Sequence, residues 1–442
     1  MKNVLRHFKR FLSRIGIYDF LYMLLWENRL AYKAVACAWR YRHHKNMAKR
    51  KPQSEKIRVL FIVSELAKWK EQFLYEAMDK SDDFYPIVGI SAWNNQGENV
   101  ITASEYEQIQ QQAESFFDRM GDRYVRTVNI INGQWTYKDL SEFNPDIVFY
   151  TEQWFPCKKQ HPFEVSKYAL TCFLPYYVPD FGIKNIDCYQ QVERMSWTYF
   201  CLDNRWRRYY QRSIWWLCHV AKFVATGHPA LDYFFRNEGK IPEAGYVIYA
   251  PHFSFPWGEG VKSYTIGTFD WSGVAMLEYA EAHSEVKWLF KPHPLLRREL
   301  IRSGLMEENE VKSYYKRWEK ISKVCLDSDY QELFLRSRVM VTDSGSFLPE
   351  YGSTGRPVIR MLCAVDKIIP PKAAKQVYNS YYLVRNKEEL YTALKLVVEE
   401  RRDPKQSERL AAVRGAALYG TYASKNIMNY LLKTFDRAEI SP

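Results

Sequence analysis

The chain has 442 residues, 47% of them apolar and 26% charged, with a net charge of +12. That length supports two or three domains, each with a sizeable core. No run of about 18 uncharged apolar residues occurs, which excludes an ordinary membrane-spanning helix, and the basic stretch Met1 to Arg14 lacks the apolar core of a cleavable secretory signal. The eight cysteines are scattered, with no Cys-x-x-Cys pair. Such usage suits a reducing, cytoplasmic compartment and argues against a metal site.

The charge is concentrated at the start. Residues 1–50 hold twelve Lys/Arg against Asp19 and Glu27, a balance of +10, so the other 392 residues carry only +2. Val4, Phe8, Phe11, Leu12 and Ile15 recur at helical spacing, with Lys2, Arg6, Lys9, Arg10 and Arg14 on the opposite face. A basic amphipathic helix of this kind suits an anionic membrane surface. It also suits a packing helix with a solvated face. Nucleic acid is disfavoured, because no binding motif occurs and the folded body lacks the charge. Residues 1–51 are therefore expected to form a basic arm, peripheral on the inner face of the cell membrane.

Further along, Lys49 to Lys56 reads as a polar linker and Ile57 to Ser64 as a buried strand. A helical stretch, Lys68 to Lys80, follows. Phe84 to Ile90, Tyr124 to Ile131, Asp146 to Tyr150, Ala169 to Leu174 and Phe223 to Thr226 read as further strands. Strands alternating with helices indicate a parallel α/β sheet. Gly239 to Gly245 looks like an interdomain link, and a second alternating series starts at Tyr246. The expected domains are 52–240, 241–415 and a closing helix in 416–442.

Three strand ends in the second series carry polar residues. Tyr246 to Ala250 leads into Pro251-His252-Phe253-Ser254. Val286 to Phe290 leads into Lys291-Pro292-His293-Pro294. Val339 to Val341 leads into Thr342-Asp343-Ser344-Gly345-Ser346, with Pro349 and Glu350 in the helix that follows. In an open parallel sheet, ligands bind beyond the carboxyl ends of the strands, so these tips are expected to converge. A strand, a small-residue turn and a helix start make a standard phosphate site, because backbone N–H groups and roughly +0.5 charge face the ligand. On this reading Ser346 is the N-cap, and Asp343 orients the loop rather than meeting an anion.

These motifs, together with Tyr330-Gln331-Glu332-Leu333, resemble those of the CDP-glycerol glycerophosphotransferases over residues 245–385. The resemblance implies a GT-B fold: two doubly wound Rossmann-like domains facing a cleft, the first for the acceptor and the second for the nucleotide donor. It implies donor diphosphate contacts from His293, Ser344 and Ser346, with Gly345, Lys291 and His252 beside them. The donor would be CDP-glycerol, the acceptor a glycan or polyol-phosphate polymer of the cell envelope, and no separate cofactor would be needed. The turn is also similar to that of UDP-N-acetylglucosamine 2-epimerases and other sugar-nucleotide enzymes, in which the acid corresponding to Glu350 holds the ribose. A glycosyltransferase is therefore the alternative, and a non-catalytic GT-B-like binding protein the second.

The family's N-terminal His-Gly-Thr-Pro motif is absent, and Leu174 to Gly182 stands in its place. Asp180 is the candidate general base, with Glu152 and His161 behind it. His228 is expected to start a helix, and Arg360 to reach phosphate or form a surface ion pair. The 33 tyrosines, and an aromatic crowd from Tyr176 to Trp216, suit either a carbohydrate-stacking surface or core filling.

Overall fold

The alternating apolar runs build two parallel sheets. The computed structural model describes residues 28–92, 102–131, 134–152, 157–178, 192, 195–213, 222–255, 266–325, 330–345, 347–363, 375–414 and 422–440. They fall into two compact units. One combines the residues up to 178, those from 192 to 232 and those from 422 on; the other runs from 233 to 414.

The first unit holds β1 (Ile57–Val63), β2 (Phe84–Ile90), β3 (Tyr124–Arg126), β4 (Val128–Ile131), β5 (Gln134–Tyr137), β6 (Ile147–Tyr150), β7 (Leu170–Phe173), β8 (Thr198–Cys201) and β9 (Lys222–Ala225). Seven of these form one sheet in the order β3-β2-β1-β6-β7-β8-β9. Its central strands are near-continuous apolar runs because both faces are covered.

The run Tyr124 to Ile131 is two strands rather than one. Thr127 is buried and its backbone N–H donates to the Ile90 carbonyl (2.9 Å), while its own carbonyl accepts from Lys138 N–H and from the Gln160 amide. The chain leaves the main sheet there, and β4 pairs with β5 in a separate antiparallel hairpin.

The second unit holds β10 (Tyr246–Ala250), β11 (Trp288–Phe290), β12 (Ser322–Val324), β13 (Ser337–Thr342), β14 (Val358–Met361) and β15 (Tyr382–Val384), in the order β12-β11-β10-β13-β14-β15. Tyr249, Phe290 and Trp318 stack beneath the strand ends, with ring centroids 4.8–5.7 Å apart.

Each sheet starts at its centre, winds to one edge, then returns past the first strand to the other. That is the doubly wound order, and its switch points lie at β1/β6 and β10/β13. β8, β12 and β15 are too short, or too polar at their ends, to stand out in the sequence. The helix Lys68 to Lys80 is a 3-10 turn, Leu66–Lys68, followed by the helix Gln72–Asp79.

The helix Ala423–Thr434 belongs to the first unit and packs against Gln72–Asp79. Its start is capped from far away in sequence. The buried carboxylate of Asp232 accepts from the backbone N–H groups of Ala423 (2.8 Å) and Ser424 (2.9 Å). Gly227 lies against it so closely that an added Cβ would sit 2.9 Å from that of Ala423.

The aromatic crowd of the first unit is mostly core. Trp197, Tyr199, Trp206 and Tyr210 are buried, and Tyr210 stacks on Phe223.

Candidate functional site

The three polar tips of the second unit do meet. β11, β10 and β13 are consecutive in the sheet, so their carboxyl ends lie side by side at the switch point. Backbone bonds stitch the tips together. Lys291 N–H donates to the Tyr249 carbonyl (2.8 Å), and His293 N–H to the Pro251 carbonyl (3.1 Å). The Thr342 hydroxyl donates to the Ala250 carbonyl (2.6 Å) and accepts from Ser344 N–H (3.0 Å).

Asp343 is fully buried. One carboxylate oxygen accepts from His252 N–H (2.6 Å); the other accepts from the N–H (2.7 Å) and hydroxyl (3.0 Å) of Thr268. Burial pushes this carboxyl up to about 6, and those donors hold it from rising further. Asp343 therefore organises the loops.

Thr268 and Gly267 were not legible as site residues. Gly267 N–H donates to the Ser254 carbonyl (2.8 Å), and an added Cβ would lie 2.1 Å from that oxygen. Only glycine fits so close an approach.

His252 and His293 share one device. The Nδ1 of each accepts the backbone N–H two residues on, from Ser254 and Leu295 respectively, both at 3.1 Å. An Nδ1 acceptor leaves the proton of the neutral ring on Nε2. Burial, followed by the neighbouring His293, lowers His252 to about 3, so it stays neutral through the physiological range. The two imidazoles meet edge to face with centroids 5.4 Å apart, and Phe253 packs on both.

Lys291 is buried to 6% exposure, with Nζ 5.7 Å from the Tyr330 ring and 5.9 Å from the Phe347 ring. Two aromatic faces favour its cationic form. Glu350 is buried too and accepts from the Tyr330 hydroxyl (2.5 Å). Ser344 is buried, while Gly345 is partly exposed at the turn.

The helix after this turn differs from expectation. It is a single five-residue turn, Leu348–Gly352, with Phe347 at the N-cap position and Pro349 in its first turn. Ser346 lies outside the described residues. A five-residue helix sums few peptide dipoles, so its N-terminus offers an anion less than a long helix would. Arg360 lies within β14, buried over the Tyr378 ring, and is not a surface residue.

In the first unit the strand ends carry different chemistry. Asp180 lies outside the described residues. Glu152, just past β6, is buried and accepts from the Ser64 hydroxyl, from Ser64 N–H (3.3 Å) and from Lys68 Nζ (3.4 Å). Burial works against the charge of Lys68, yet Glu152 and Glu65 outweigh it and hold its pKa above the usual lysine value. Glu71, which sequence reasoning missed, is fully buried at the N-cap position of Gln72–Asp79. Its Oε2 accepts from Lys70 N–H (2.9 Å), and its Oε1 has no partner among the described residues. Burial pushes its pKa up to about 8.

His161 and His228 use Nδ1 to cap the helical turns they precede, accepting from Phe163 N–H (3.0 Å) and Ala230 N–H (3.2 Å). His228 Nε2 donates to the Pro175 carbonyl (2.6 Å), and burial lowers its pKa to about 4.

Two doubly wound Rossmann-like units in one chain, each with a switch point, define the GT-B type of fold. No family model matches the chain, and no curated protein matches it in sequence. Solved structures do match. A Listeria monocytogenes protein assigned as a UDP-N-acetylglucosamine 2-epimerase is 16% identical with a TM-score of 0.54, over 88% of this chain and 100% of that one. The wall teichoic acid polymerase TagF is 14% identical with a TM-score of 0.53, over 92% and 97%. S. aureus MnaA, solved with UDP, is 14% identical with a TM-score of 0.51, over 87% and 99%. At such identities the likeness is one of fold.

Proposed function

We propose that this protein is a nucleotide-diphosphate-dependent transferase. In this reading it moves a glycerol-phosphate or related polyol-phosphate unit from a CDP-activated donor onto a cell-envelope polymer. The observation that carries it is the convergence of His252, Lys291, His293 and Ser344 at one switch point, in a unit whose motifs resemble the donor half of the glycerophosphotransferases. The likeness in fold to a teichoic acid polymerase supports it.

The chemistry follows from the donor set. An acceptor hydroxyl attacks the phosphorus that bears glycerol; its O–P bond forms as the bond to the CMP oxygen breaks. Negative charge grows on the departing CMP and the proton leaves the hydroxyl. The Nε2 edges of His252 and His293, the Lys291 amine and the Ser344 turn suit that charge. A proton acceptor is required as well. Asp180 is the candidate read from the sequence, with Glu152, at the carboxyl end of β6, behind it.

The second reading is transfer of a sugar from a UDP- or GDP-linked donor. The buried Glu350 beside the turn favours it, since an acid there suits a ribose, as does the fold shared with a protein solved with UDP. Thermal stabilisation by a nucleotide panel separates the two. A ligand at 100 times its Kd adds about 2.7 kcal/mol. Shifts confined to cytidine nucleotides support glycerophosphate transfer. Shifts confined to UDP or GDP compounds support glycosyl transfer, and no shift with any of them overturns the donor site.

A further inference from the structure

Residues 174–178 follow β7 and open the stretch that stands in place of the absent His-Gly-Thr-Pro motif. Three hydrogen bonds fix their course. Leu174 N–H donates to the Tyr150 carbonyl and Tyr176 N–H to the Thr151 carbonyl, both at 2.9 Å, which carries the β6–β7 pairing beyond the ends of both strands. The third bond comes from far along the chain, where His228 Nε2 donates to the Pro175 carbonyl (2.6 Å). Proline has no N–H, so its carbonyl is the one backbone group by which Pro175 can be held.

His228 is built for that contact. It is buried to 2% exposure. Its Nδ1 accepts from Ala230 N–H (3.2 Å), which leaves the ring proton on Nε2, the donor that the Pro175 carbonyl requires. Its backbone is set from the other side. Gly227 takes a φ of +87° against Ala423, and the Asn426 amide donates to the Thr226 carbonyl (2.9 Å). A helical start needs only the Nδ1 bond, and Ser, Thr, Asp or Asn would supply one like it. The Nε2 bond is the part of this side chain that capping does not explain.

The clamped segment borders the acids of the first unit. Tyr176 is half-buried, and Lys68 Nζ lies 5.9 Å from its ring centre and 3.4 Å from Glu152 Oε2. Tyr177 meets Tyr176 edge to face, with centroids 5.3 Å apart. An aromatic face near a carboxylate suits a polyol or sugar, whose C–H groups pack on the ring while a hydroxyl reaches the acid.

We propose that His228 is a positioning residue for the acceptor: through Pro175 it fixes Tyr176 near Glu152, and the Tyr176 ring forms one wall of the acceptor's seat. This rests on the transferase reading above, in which the first unit takes a hydroxyl-bearing acceptor.

Two substitutions take the roles of the imidazole apart. His228→Asn keeps a short amide that caps Ala230 and cannot reach Pro175. His228→Gln reaches Pro175 and gives up the cap. Both are compared with the wild type, full-length, by amide exchange and by transfer from CDP-glycerol to an oligo(glycerol phosphate). His228→Asn is expected to speed exchange at Tyr176 N–H. It should also raise the KM for the acceptor about tenfold, the equivalent of one lost hydrogen bond, with the donor KM unchanged. His228→Gln should keep the wild-type acceptor KM while its melting temperature falls. A merely structural histidine gives the reverse ranking, with the Asn variant like wild type and the Gln variant impaired. Tyr176→Ala, at a half-buried site, should raise the acceptor KM by a similar factor and serves if neither His228 variant folds. Unchanged exchange and acceptor KM in His228→Asn would overturn the proposal, as would a wild-type acceptor KM in Tyr176→Ala. A wild type that transfers nothing and is stabilised by no nucleotide marks failure of the transferase reading instead; exchange at Tyr176 then still decides whether His228 holds the segment.

Discussion

The two sheets share one winding order but present opposite chemistry at their carboxyl ends. At β10, β11 and β13 the tips are tied to one another by backbone bonds and by Asp343, and they offer two imidazoles and the buried Lys291 amine. In the first unit two buried carboxyl groups follow β1 and β6, Glu71 at the N-cap of Gln72–Asp79 and Glu152 just past β6, with Lys68 beside Glu152. The fold supplies the position, and the loops decide which charge meets a ligand. A donor set suits a leaving phosphate, whereas an acid set suits a proton coming off a hydroxyl.

Breaking the donor side should give the largest effect. His293→Ala is expected to lower turnover about 10²–10³-fold, the usual loss for one oriented donor to developing charge. Kinetics beside a melting curve test this, and full activity in the variant would remove His293 from the site. Asp343→Ala should lower stability by about 2–4 kcal/mol, because three N–H or O–H donors lose a buried acceptor. Denaturant titration reads that loss, and it should exceed the loss in His293→Ala.

The acid side is sharpened by pH. Glu71 has a folded pKa raised to about 8, above its ordinary value of 4.5. The folded state therefore binds more protons between those values, and stability falls as pH rises through that window. Glu71→Gln cannot ionise. Its stability relative to wild type should grow by about 1–3 kcal/mol from pH 5 to pH 8. A flat difference would show that Glu71 is not held neutral. The smallest effect belongs to Trp39→Ser, expected to change stability by less than about 0.5 kcal/mol because the ring is exposed.

The sequence showed the converging strand tips of the second unit well and the buried acids of the first only in part, Glu152 but not Glu71, for a physical reason. His252, His293 and Asp343 follow apolar runs directly, so their place at strand ends is readable from local pattern and from the prolines beside them. Glu71 sits in Lys70-Glu71-Gln72, which reads as a solvated helix start; its burial comes from tertiary packing alone. Gly267 is likewise a bare glycine until Ser254 is seen against it. In the helix Asn28–Ala48 the buried Cys37 and Tyr41 and the exposed Tyr32, Val35 and Trp39 blur the periodicity, so the sequence did not separate a buried stripe from an exposed one. The single turn Leu348–Gly352 was legible as helical but not in its length.

The cap that Asp232 places on Ala423–Thr434 has a consequence for biosynthesis. Ribosomes deliver the chain in order, and the residues of the second unit all emerge before Ala423. The first sheet must therefore wait, with Asp232 lacking its contacts to Ala423 and Ser424 and the flank of Gln72–Asp79 lacking the last helix, while some 190 residues are made. Nascent chains halted just before Ala423 should expose that flank to chaperones or proteases, and release of the completed chain should close it.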